Sequence, residues 1–151
     1  MTLGIRATLP SIIPKAIAWA EAQYATIAAS GQPLDEALLS LAASIGVAHP
    51  ELIRLMEVRH LPLPEDIELR QAAIETRMLG PNMLGITFGY GVFVCHGHTG
   101  NLRLLSHELR HVYQYEEAGS IAAYIPVYLE QVFSDGYHNA PFEADARAYE
   151  V

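Results

Sequence analysis

Cysteine is nearly absent from this 151-residue chain, where Cys95 stands alone. A single cysteine excludes an intramolecular disulfide framework and any Cys-rich zinc finger. It also leads us to expect a reducing compartment, and so a cytoplasmic protein. Basic residues are scarce too, nine Lys and Arg against seventeen Asp and Glu, for a formal charge of −8. The nine are scattered, which argues against a nucleic-acid partner, because such partners need clustered cations. Long apolar runs are missing as well. Although 51% of the residues are apolar, no stretch approaches the ~18 needed to span a bilayer. The N-terminal MTLGIR and the apolar stretch ending in Ala18-Trp19-Ala20 superficially suit an export leader. Pro10, Pro14 and Lys15 interrupt the apolar part that a leader requires, so none is expected.

What is present reads as one domain over residues 1–151, long enough to bury roughly 70% of its unfolded surface. The first part, 1–80, reads as helical. Helices are expected at 14–29, opened by Pro14 and stopped by Ser30-Gly31, and at 33–45, followed by Gly46. A short third helix is expected at 50–58 (PELIRLMEV), then a turn or linker in LPLPED, and a fourth helix over about 65–78 running into a turn at 79–82. There the period changes. LGITFGYGVFVCHG (84–97) is rich in Ile, Thr, Phe, Tyr and Val with glycines between, which predicts a strand or hairpin. Beyond the loop HGHTGN, helices are expected at the segment from 104 to 118, at 120–133 with a bend at Pro126, and at 141–150 with Pro141 in the first turn. The fold class implied is α+β, mostly helical, with a small sheet or hairpin before the central helix.

That central helix carries HELRH, His107 to His111. Residues four apart differ by ~40° around a helix, so His107 and His111 project from one face and can hold one metal ion. Glu108 lies ~100° round from His107, placed to reach a water at the metal rather than to ligate it. Two ligands and a general base are the chemical content of the pattern. Leu104, Leu105, Leu109, Val112 and Tyr113 form an apolar stripe, so the helix is expected in the core, where histidines are expensive to bury unless something satisfies them. A catalytic zinc site needs a third protein ligand. Glu116 and Glu117 point elsewhere on the same helix and read as a solvated acidic face. His138 lies in a loop; Glu143 and Asp145, on the following helix, are the better candidates.

The ensemble resembles a known family. A strand (ITFGYGVFV), a loop, LLSHELRHVYQ, and then Gly136-Tyr137-His138-Asn139-Ala140-Pro141-Phe142-Glu143 followed by Ala144-Asp145-Ala146 is similar to zinc metallopeptidases of the gluzincin type. The arrangement is similar to minigluzincins and related small bacterial peptidases, over about residues 84–150. The resemblance implies a zincin-like fold, with Zn2+ bound by His107, His111 and Glu143, and Glu108 as general base. It further implies a peptide or protein substrate, paired along the strand 86–94 by strand addition. Where such proteins often carry an acidic residue four after the ligand glutamate, this chain has Arg147, leaving Asp145 or Asp135 to orient a histidine.

Five further residues draw notice. Tyr137 and His138 are candidates to donate to the oxyanion of a tetrahedral intermediate. His96 and His98 flank Gly97 and read as an exposed loop rather than a second metal site. Cys95 reads as a small strand residue. The function expected is zinc-dependent peptide hydrolysis. The alternative is a non-catalytic module, either a scaffold stapled by zinc or a peptide binder.

Overall fold

Alternation along the strand Gly91–Cys95 divides the molecule into two packed halves. Val92 and Val94 point to one face of the sheet and Phe93 to the other, all three at most 3% exposed. The computed structural model describes residues 3–80 and 82–151, with side chains from residue 8 onward. Met1, Thr2 and Pro81 lie outside them, and with them parts of the leader-like N-terminus and of the turn read at 79–82.

The described elements run α1 (Leu3–Ser30), β1 (Gln32–Pro33), α2 (Glu36–Ile45), a 3₁₀ turn (Pro50–Leu52), β2 (Arg54–Val58), α3 (Ile67–Glu75), β3 (Gly85–Phe88), β4 (Gly91–Cys95), α4 (Leu102–Ala118), α5 (Ile121–Asp135) and α6 (Pro141–Ala148). The fold is α+β. The sheet has the order β1-β2-β4-β3, with β2 parallel to β4 and the other pairs antiparallel. On the Val92 and Val94 side, α2 and the Leu105, Leu109 and Val112 stripe of α4 form one core cluster. On the Phe93 side, α1, α3 and α5 form the other, with Phe88 and Phe93 in edge-on contact. Gly91 is what lets α1 lie so close, since a Cβ there would sit 3.0–3.1 Å from three atoms of Ile27.

Three expectations need correction. The segment 50–58 is a 3₁₀ turn and a strand, not a helix. Leu, Arg, Met and Glu all favour helices, but pairing on both sides, with β1 and β4, outweighs a propensity of a few tenths of a kcal/mol per residue. The first helix does not begin at Pro14: it starts at Leu3 and runs through Pro10 and Pro14. Leu9, Ile12, Ala16, Ala20 and Ile27 recur at helical spacing and are buried, and that burial offsets the hydrogen bonds the prolines remove. Finally, the single edge strand that the resemblance implied over 86–94 is the hairpin that the composition of 84–97 also suggested, and of its two strands only β3 lies at a sheet edge.

Candidate metal centre

Helix α4 is fixed at both ends. The Asn101 side chain accepts from the Leu104 N–H at 3.2 Å, and Gly119 closes the helix in the left-handed conformation. Its apolar stripe docks on Val92 and Val94, and this rotation turns His107, Glu108 and His111 toward β3, α5 and α6. Strand β3 crosses close above Glu108. A Cβ on Gly85 would meet Glu108 Cγ and Leu104 Cδ1 at 3.2 Å, so glycine lets this crossing be close without displacing either side chain.

Helix α6 opens with Pro141 at its first position and carries Glu143 in its first turn. There the Glu143 carboxylate meets both imidazoles: Oε1 lies 3.1 Å from His107 Nε2, and Oε2 lies 3.3 Å from His111 Nε2. The ligand atoms of the three residues all lie within 4.8 Å of one another. Donors at 2.0–2.2 Å from a tetrahedral ion stand ~3.3 Å apart, so the two contacts fit a shared ion. His111 and Glu143 are 6% and 3% exposed. Among the described residues this is the one group of three such side chains that could hold a metal ion.

The hydrogen bonds behind the ligands set the tautomers. His107 Nδ1 is 2.8 Å from Glu150 Oε2, and His111 Nδ1 is 2.8 Å from Gln114 Oε1. Both partners are acceptors, so each Nδ1 carries a hydrogen and each Nε2 is turned to Glu143. The Gln114 amide is itself oriented from four sides. Its oxygen also accepts from the Tyr124 hydroxyl, and its nitrogen donates to the Phe142 carbonyl and to Asp145. Two imidazoles and a carboxylate at this spacing require positive charge between them, from protons or from a metal ion.

Charge follows the same geometry. Burial alone would pull the His111 imidazole down, but the Glu143 carboxylate outweighs it and pushes the ring up to about 9. His107 is likewise raised against its own burial by Glu143 and Glu108. Burial would raise Glu143, yet the two histidines and the Tyr128 hydroxyl, donating at 2.6 Å, hold it well below the usual carboxylate range.

Glu108 is 5% exposed and accepts from the Thr87 hydroxyl at 2.8 Å. It stands between two cavities. One, of about 100 Å³, is walled by β3, α1, α3 and α5 and reaches His111 and Glu143. The other, about 300 Å³ and more open, borders His107, Glu150 and Asn101. Tyr137 lines both. Burial, with the Glu143 charge behind it, pushes the Tyr137 hydroxyl far up, so it stays protonated.

Other candidates fall elsewhere. His138 is exposed, and it meets Arg147 only through its backbone carbonyl. Asp145 grips Arg110 at 2.8 and 3.3 Å and touches the site through Gln114. Glu150, seven after Glu143, does the orienting that was sought at Asp145 or Asp135. Of the acidic face, Glu117 is exposed, but Glu116 is half-buried: it accepts from the Ala48 and His49 N–H groups and from the Tyr90 hydroxyl. His96 pairs with Glu57 on the surface, and His98 faces Asn101. Sequence reasoning missed Thr87, Gln114, Tyr128 and Glu150. Only Gln114 had a signal, three residues after His111 on the same helix face. No protein-family model, no curated protein and no solved structure matches this chain.

Proposed function

We propose that the protein is a zinc-dependent peptide hydrolase of zincin type. The observation that carries this is the convergence of His107 Nε2, His111 Nε2 and the Glu143 carboxylate, with Glu108 beside them but outside the ligand set. Two imidazoles and one carboxylate suit zinc. Bound there, zinc would polarise a substrate carbonyl and acidify a water. Glu108, held by Thr87, takes the proton of the attacking water and returns it to the leaving amine. Tyr137, kept neutral, donates to the oxygen on which charge develops. His138 has no part in this proposal.

The competing reading is a zinc staple joining α4 to α6, or a binding module built around one. Burial of two of the three ligands favours it. Glu108→Gln separates the readings. Metal analysis should return about one zinc per chain in both wild type and variant, while hydrolysis of a peptide mixture should disappear in the variant alone. A wild type that binds zinc and cleaves nothing supports the staple.

A further inference from the structure

Resting on that hydrolase reading, we infer that Tyr115 of α4, seated on the Thr87 carbonyl, closes the sheet edge against an extended polypeptide, and that the N-terminal helices leave room for one aliphatic side chain. The substrate is then a short amide with a branched aliphatic residue at the scissile bond.

The edge itself carries the first half of this. The Leu84 carbonyl accepts from the Cys95 N–H, and the register pairs Gly85 with Val94 and Thr87 with Val92. Alternation therefore turns the backbone groups of Ile86 and Phe88 toward β4, and those of Gly85 and Thr87 toward the open edge. An added strand would need both. The Thr87 carbonyl is already taken by the Tyr115 hydroxyl at 3.2 Å, and Thr87 and Phe88 are 6% and 3% exposed. Trp19 of α1 packs edge-on against Phe88 at 5.2 Å. Gly85, which borders both cavities, is left as the one point where a substrate backbone can pair.

The inner cavity carries the second half. Beyond Glu108 its walls are apolar, from Ala16 and Trp19 of α1, Leu69 and Ala73 of α3, and Met78 and Leu79. Its volume of about 100 Å³ is below the ~150 Å³ of an apolar cavity that admits one benzene. It therefore suits an isobutyl or isopropyl group and excludes a phenyl ring. Those walls belong to the part of the chain that the family likeness leaves unexplained, so selecting the substrate gives the helical half a role.

The test is binding of amino-acid hydroxamates, which chelate a metal with an open position, to the zinc-loaded protein by calorimetry. Leucine hydroxamate should bind at least about tenfold tighter than glycine hydroxamate. Phenylalanine hydroxamate should bind no tighter than glycine hydroxamate, and a hexapeptide hydroxamate ending in leucine should gain nothing over leucine hydroxamate. Ala73→Leu fills the cavity and should erase the leucine preference while leaving glycine hydroxamate binding unchanged. Should that variant fold poorly, Met78→Ala enlarges the cavity and should make phenylalanine hydroxamate competitive. Affinity that grows with peptide length, or a preference for phenylalanine in the wild type, overturns the inference alone. Failure of every hydroxamate, glycine included, overturns the hydrolase reading and this inference with it.

Discussion

At the residue scale the site is a chain of oriented hydrogen bonds behind three donor atoms. Glu150 fixes the His107 ring and Gln114 fixes that of His111. Losing such a partner typically costs 10–100-fold in metal affinity. Glu150→Ala should therefore weaken zinc binding by about that factor in competition with a chromophoric chelator. Glu150→Gln should recover much of it, because an amide oxygen accepts the same Nδ1–H bond. Equal affinity in the alanine variant and wild type would show that Glu150 does not orient His107. Glu150 gave no sign of this from sequence, being seven residues past Glu143 and beyond the end of α6. What brings it back is α6 packing across α4.

At the element scale that packing depends on Arg110, the residue before His111 in HELRH. Its guanidinium lies between the rings of Tyr113 and Tyr149, each 3.8 Å away. It donates twice to Asp145 and once to the Ile45 carbonyl, so one side chain ties α4 to α6 and α2. A lysine offers neither the planar fork nor the stacking. Arg110→Lys should lower stability by about 1–3 kcal/mol, read as a fall of several degrees in melting temperature, and should loosen Gln114 through Asp145. A melting curve indistinguishable from wild type would remove Arg110 from this role. The element most poorly read from sequence was β2. Its helix-favouring residues become a strand because β1 and β4, distant in sequence, supply hydrogen-bond partners on both sides.

At the scale of the whole molecule the centre makes stability depend on pH. His111 rises from an ordinary 6.5 to about 9 in the folded chain. Its protonation therefore stabilises the metal-free fold fully below about 6.5, and that contribution is lost as pH climbs through about 9. A metal at the same Nε2 atoms competes with those protons, so metal affinity rises over the interval in which the metal-free fold weakens. Melts in chelator should fall between pH 6.5 and 9, melts with zinc should hold, and zinc uptake at pH 7 should release protons in calorimetry across buffers of differing ionisation enthalpy. A flat profile in chelator, together with no proton release, would contradict the coupling.

HELRH could be read from spacing, because a helix converts a four-residue interval into a shared face without help from the rest of the chain. Pro141 could be read for the same reason, as the local chemistry of a helix start, whereas spacing left Glu143 and Asp145 both open as the third ligand. The hairpin was legible from its β-branched residues and glycines. None of these patterns reports distance between elements. That Glu143 rather than Asp145 meets the histidines follows from how α6 crosses α4, with Arg110 holding Asp145 to one side. That the Thr87 carbonyl at the edge of β3 is taken follows from where Tyr115 of α4 packs, and that Trp19 covers the Phe88 ring follows from a stripe of buried residues that carries α1 through two prolines. Such outcomes are set by which apolar faces find each other, a long-range property that no local spacing encodes.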